Sequence, residues 1–280
     1  MNKSLFKVGM IASALFLSAC GENTPKESND EMTETTTEEA VKEETASTEG
    51  RMTQDGITIY PADIAQDFPN AKLTLNNPKD DAKLKVGENQ FDFTVSDYEL
   101  AVQTDDAMNR HCANSEKGQH IHFILNNAPY LAKYEPSFKA ELGEGNNVVL
   151  SFLSRSYHES IKNSTAFVLK NFPIGKVENT FDEKAPHLFY SRPKGEYSGK
   201  DAEKILLDFY LLNTELSTEG NRVQVEINGT SFLIDQWQPY FVEGLKEGEN
   251  TFRIKLISAD GAPVEGPFND SGDRIITIKK

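Results

Sequence analysis

The chain has 280 residues, 38% of them apolar, and 44 acidic side chains against 29 basic ones leave a formal net charge of −15. That balance argues against sequence-independent nucleic-acid binding, which depends on Lys and Arg neutralising phosphates, and equally against a polybasic membrane surface. Cys20 and Cys112 are the whole thiol content, so once the first is used at the N-terminus no internal disulfide is left and packing alone must hold the fold.

Lys3 and Lys7 give the N-terminus a positive start, and an apolar run from Val8 to Leu17 closes on Leu17-Ser18-Ala19-Cys20. This is the layout of an export signal, and the run is shorter than the roughly 20 apolar residues of a permanent membrane helix. Leu-Ser-Ala-Cys also resembles a bacterial lipobox. The resemblance implies that residues 1–20 are a lipoprotein signal peptide, cut before Cys20, whose thiol is lipidated. Gly21 in place of Asp resembles the sorting pattern that sends such proteins to the outer membrane. The expectation is a lipid-anchored protein of the bacterial cell envelope that meets the membrane only through its acyl group.

Residues 21–50 carry ten acids against Lys26 and Lys42 among many threonines, with almost nothing apolar to bury. Such a segment cannot offset the entropy of ordering and self-repels, so residues 21–65 are expected to form a disordered tether.

Beyond Ala71 the pattern changes to short alternating runs, and a repeat emerges. Residues 120–153 and 222–256 share an alternating run, an Asn-Asn or Asn-Gly turn, an aromatic two residues before Pro, a Gly-containing turn and a second alternating run. The offset is 102 at Asn126/Asn228 and 103 from Pro136/Pro239 through Leu153/Leu256. Asn-Asn and Asn-Gly supply positive φ in hairpin turns. Further strands are expected at Leu73–Leu75, 91–95, Tyr98–Val102, His187–Tyr190 and Ile205–Leu212. Short strands at regular turn spacing predict an all-β fold. The reading is two tandem immunoglobulin-like β-sandwiches, residues 66–176 and 184–280, joined near Gly175–Pro186. Tyr134 and Trp237 are expected to fill the ends of the two cores, and Pro136 and Pro239 to sit at strand starts or edges.

Four of the five histidines fall in the first copy. Ile121, Phe123 and Leu125 alternate toward a core, so His120 and His122 point away from it, at the positions of Arg222 and Gln224 in the second copy. At i and i+2 their Cα atoms lie about 7 Å apart, close enough for two imidazoles to share Zn or Cu if a third ligand arrives. His158 is one candidate third ligand; His111 and Cys112 are others. The alternative is that these are surface polar residues. A second candidate site is anionic: Ser154-Arg155 follows a strand in copy one, and Ser191-Arg192-Pro193-Lys194 opens copy two. A guanidinium beside hydroxyls suits phosphate or carboxylate, although Arg155 could instead pair with a nearby acid. No nucleophile elbow, phosphate-binding loop, His-Glu-x-x-His or Cys-x-x-Cys motif occurs, so an enzyme is not expected.

The stretches 112–130, 152–160, 189–197 and 266–269 (Cys-Ala-Asn-Ser-Glu-Lys-Gly-Gln-His-Ile-His-Phe-Ile-Leu-Asn-Asn-Ala-Pro-Tyr; Phe-Leu-Ser-Arg-Ser-Tyr-His-Glu-Ser; Phe-Tyr-Ser-Arg-Pro-Lys-Gly-Glu-Tyr; Gly-Pro-Phe-Asn) resemble a group of bacterial envelope lipoproteins sometimes catalogued as phosphopeptide-binding. The resemblance implies recognition rather than catalysis. The expected function is therefore a non-catalytic envelope module binding an unknown protein or peptide, with a phosphopeptide as the form the resemblance implies. The alternative is a metal-handling protein using His120 and His122 for zinc or copper.

Overall fold

The structure is a computed structural model that describes residues 50–63 and 65–279. The expected signal peptide, Cys20 and the tether through residue 49 lie outside the described residues. Seventeen strands follow in order: β1 (Met52–Gln54), β2 (Ile57–Pro61), β3 (Lys72–Asn77), β4 (Gly87–Ser96), β5 (His120–Leu125), β6 (Leu131–Lys133), β7 (Ser137–Leu142), β8 (Val148–Ser154) and β9 (Phe167–Asn171). After a loop come β10 (His187–Arg192), β11 (Gly195–Ser198), β12 (Ile205–Leu212), β13 (Arg222–Ile227), β14 (Thr230–Ile234), β15 (Tyr240–Glu243), β16 (Gly248–Ile257) and β17 (Arg274–Lys279).

These form two tandem immunoglobulin-like β-sandwiches. The first packs the sheet β3-β4-β7 on the sheet β6-β5-β8-β9, and the second packs β1-β2-β15-β12-β10 on β11-β17-β16-β13-β14. Pairing is antiparallel apart from β11 with β17. The repeat maps strand for strand: β5–β8 of copy one correspond to β13–β16 of copy two. Asn126 and Asn127 turn at φ 51° and 54°, and Asn228 and Gly229 at 53° and 88°, the left-handed geometry those residue types tolerate. Pro136 and Pro239 immediately precede β7 and β15, where only their carbonyls are used, accepting from Phe93 and Ala62.

Two sequence expectations need correction. The tether does not run to residue 65, because β1 and β2 form a hairpin that joins the second sandwich through β15, with Ile59 opposite Val242. Ile57 and Ile59 alternate into that sandwich's core, and Asp55-Gly56 makes the turn at φ 52° and 80°. Arg51 ties the hairpin to Glu243 at 3.0 Å. The second correction is Tyr98–Val102, which is not a strand. Asp97 and Ala101 take φ of 52° and 61°, and the Tyr98 hydroxyl donates to the Ser154 carbonyl at 2.8 Å.

Apolar burial is layered. One core lies inside the first sandwich (Leu73, Phe91, Ile121, Phe123, Val149) and one inside the second (Ile59, Leu207, Phe209, Val225, Ile254). A third lies between the sandwiches, where Ile124, Leu150 and Phe152 of β5 and β8 meet Phe189, Tyr210 and Leu212 of β10 and β12. Strands β5, β8, β10 and β12 are consequently buried on both faces.

Candidate metal centre

Strand β5 lies in the sheet that faces the second sandwich. Its odd residues Ile121 and Phe123 enter the first core, and its even residues His120, His122 and Ile124 face the seam. The matching face of β13, with Arg222, Gln224 and Glu226, is only half-buried. Here the surface reading is corrected: His120 and His122 point away from their own core as the alternation requires, yet both are 0% exposed because β10 and its neighbours cover them. His158 comes from the turn after β8, where its N–H donates to the Arg155 carbonyl and its own φ is 69°.

The structure brings these three imidazoles together, with one nitrogen from each ring all within 4.8 Å of one another. His122 Nε2 lies 3.0 Å from His120 Nε2, and His158 Nδ1 lies 3.1 Å from the same atom. His120 Nδ1 is 2.8 Å from the Gly118 carbonyl, which can only accept. That nitrogen therefore carries the proton, and Nε2 presents its lone pair to the other two rings. His122 Nδ1 is held by Ser191 Oγ at 3.1 Å. Gly118 has to be glycine: its φ is +84°, and a Cβ would lie 2.3 Å from the Val102 carbonyl oxygen.

One in-plane lone pair accepts one proton well, yet two ring nitrogens converge on His120 Nε2. A cation among the three turns that convergence into coordination. Tetrahedral bonds of about 2.0–2.1 Å from zinc to nitrogen would set the nitrogens about 3.3 Å apart, a few tenths of an ångström beyond the 3.0 and 3.1 Å from His120 Nε2 to the other two rings. The outer hydrogen bonds to Gly118 and Ser191 are of the kind that orient metal-ligating imidazoles.

Electrostatics keeps the rings neutral. Burial pushes His120 down to about 4, and the positive charges of Arg192 and Lys194 add to the effect. Burial likewise holds His122 and His158 well below the usual histidine range, reinforced by the neighbouring imidazoles and the same two cations. Neutral imidazole is the form that binds a metal. Tyr130 completes the wall, its ring stacked on His122 at 3.6 Å and its hydroxyl 3.2 Å from His158 Nδ1.

The other sequence-predicted residues fall differently. His111 is exposed, and Cys112 packs with Tyr157, Leu206 and Phe241, its thiol pushed up to about 11 by burial; neither joins the trio. The anion reading of Arg155 and Ser154 is corrected: Arg155 pairs with Glu159 at 3.0 Å and donates to the Gln66 and Ser160 carbonyls, while Ser154 Oγ donates to Arg155 O. Arg192 is buried and donates to Tyr197 Oη at 2.8 Å with no acidic partner among the described residues, and Lys194 Nζ donates to the Tyr130 carbonyl at 2.7 Å. Trp237 packs against the second core, its indole N–H donating to Phe209 O. Tyr134 does not fill the first core. It lies against His120, ring centres 5.0 Å apart, with its hydroxyl on Ser115. Sequence reasoning missed Gly118 and Tyr130 and set Ser191 in the anion candidate rather than beside His122. Ser191 reaches the site only across the seam, Tyr130 from the connection between β5 and β6, and Gly118 through a loop crossing, so no periodicity announces them.

No family model and no curated protein matches the chain. Among solved structures, it is similar to the fibronectin(III)-like modules of Clostridium thermocellum CbhA, at 13% identity and a TM-score of 0.24 over 74% of this chain and 92% of that one. It is also similar to the two tandem V-type regions of VCBP3, a v-region-containing chitin binding protein, at 10% identity and a TM-score of 0.21 over 75% and 100%. Domains 4 and 5 of the S-layer protein SbsC match at 10% identity and a TM-score of 0.20 over 77% and 100%.

Proposed function

We propose that this chain is a non-catalytic binding protein of the bacterial envelope, anchored by lipid at Cys20, whose ligand is a zinc or copper ion held by His120, His122 and His158. The observation that supports this most is the convergence of His122 Nε2 and His158 Nδ1 on the unprotonated Nε2 of His120. A single lone pair cannot serve two rings equally well, whereas a transition-metal ion engages all three ring nitrogens at once. Phosphopeptide recognition has less support, since the Arg155 guanidinium is occupied by Glu159 and backbone carbonyls.

Calorimetric titration of Zn(II) and of copper into the purified protein tests the reading. One equivalent of at least one of these ions is expected to bind to wild type and to be lost in His158→Ala, whose ring sits in a loop and leaves the strands intact; circular dichroism checks the fold. Binding of neither ion, or binding indifferent to His158, would overturn it.

A further inference from the structure

Resting on that metal reading, we propose that the ion selected by the site is monovalent Cu(I) rather than a divalent cation. The first ground is ligand charge. The cluster offers three neutral imidazoles, and among the described residues no carboxylate or thiolate joins it. A dication placed there would keep its full charge, whereas dedicated zinc sites commonly add thiolates, a carboxylate or a fourth ligand.

The second ground is the surroundings. The cations beside the trio are Arg192 and Lys194, both set over the Tyr130 ring that stacks on His122, with the Arg192 guanidinium carbon 5.6 Å from its centre. Arg192 is buried without an acidic partner among the described residues. Lys194 Nζ lies 4.2 Å from the centre of the Tyr130 ring, which is itself stacked on His122. Tyr130 and Tyr134 are the phenols beside the trio, Tyr130 with its hydroxyl 3.2 Å from His158 Nδ1 and Tyr134 with its ring centre 5.0 Å from that of His120. Repulsion from fixed cations scales with the ion's charge, and the cost of burying the ion scales with its square. Both effects favour a single charge. The third ground is donor number: three nitrogens with His120 and His122 fully enclosed suit the low coordination number that a filled-shell monovalent ion accepts.

The test uses the full chain under anaerobic, reducing conditions. Cu(I) is titrated against a chromophoric Cu(I) chelator and Zn(II) against a zinc chelator. One Cu(I) is expected to bind and to be lost in His158→Ala, with Zn(II) weaker by about a hundredfold or more. In Lys194→Met, a half-buried position, Zn(II) affinity is expected to rise about tenfold and Cu(I) affinity only about threefold, because removing one fixed charge relieves a dication twice as much. Zn(II) binding as tight as Cu(I) would overturn the inference and leave the metal reading standing. Retention of Cu(I) in His158→Ala would place the ion elsewhere and overturn it too. Absence of both ions from the wild type would remove both readings.

Discussion

His120 and His122 show how one strand face changes character when a second domain covers it. In the seam they are neutral and hydrogen-bonded, and this has a pH consequence for the metal-free protein. His120 is pushed from 6.5 down to about 4 in the folded state. As pH falls, the unfolded chain takes up this proton first, so the stabilisation is complete above about pH 6.5 and is lost on approach to pH 4. The loss from this ring is at most about 3 kcal/mol, and His122 and His158 shift in the same direction. Urea midpoints at pH 7 and pH 4.5 should differ accordingly; equal midpoints would mean the rings are not buried as described. Ser191→Ala removes the partner of His122 Nδ1 without removing a ligand, and metal affinity should fall about 10- to 100-fold, read by the same titration. Arg155→Ala removes the 3.0 Å partner of buried Glu159 and leaves it only Arg110 at 3.7 Å. The cost in denaturant unfolding should therefore be about 2–3 kcal/mol, less than for a buried charge left with no partner; a change below about 1 kcal/mol would show that Glu159 does not depend on it.

Among the elements, the hairpin β1–β2 is the piece that precedes the first sandwich yet belongs to the second. Ile59 is fully buried opposite Val242 and packs into the second core. Ile59→Ala should therefore destabilise the protein by about 2–4 kcal/mol, whereas a residue of a disordered tether would be neutral. Chemical denaturation separates the two outcomes. The loop carrying His158 is held differently, by its own turn and by the pairing of Arg155 with Glu159. The site thus combines two ligands on a rigid strand with a third on a braced loop.

Over the whole molecule, the apolar layer between the sandwiches couples the two halves. Phe152 stacks on Tyr210 with ring centres 4.6 Å apart, and both are buried. Phe152→Ala should cost about 3–5 kcal/mol. The wild type should unfold in one transition, with Trp237 fluorescence coincident with far-ultraviolet circular dichroism, since the single Trp sits where the second core meets the seam. Two separated transitions would show that the seam does not couple the domains.

By itself the sequence determined the strand grammar, the duplication and the side of β5 on which His120 and His122 project, because these follow from a period of two and from turn chemistry written locally. The Asp55-Gly56 turn between alternating residues is a hairpin signal that was read as tether, because the acidic stretch before it masks it. Only the tertiary structure decided that the outward face of copy one is an interior. Alternation tells which face leaves one core and says nothing about what covers it. The same limit explains Ser191, which reaches His122 across the seam from a distant segment. It explains Arg155 as well, whose partner Glu159 had to be chosen by a loop conformation rather than by spacing.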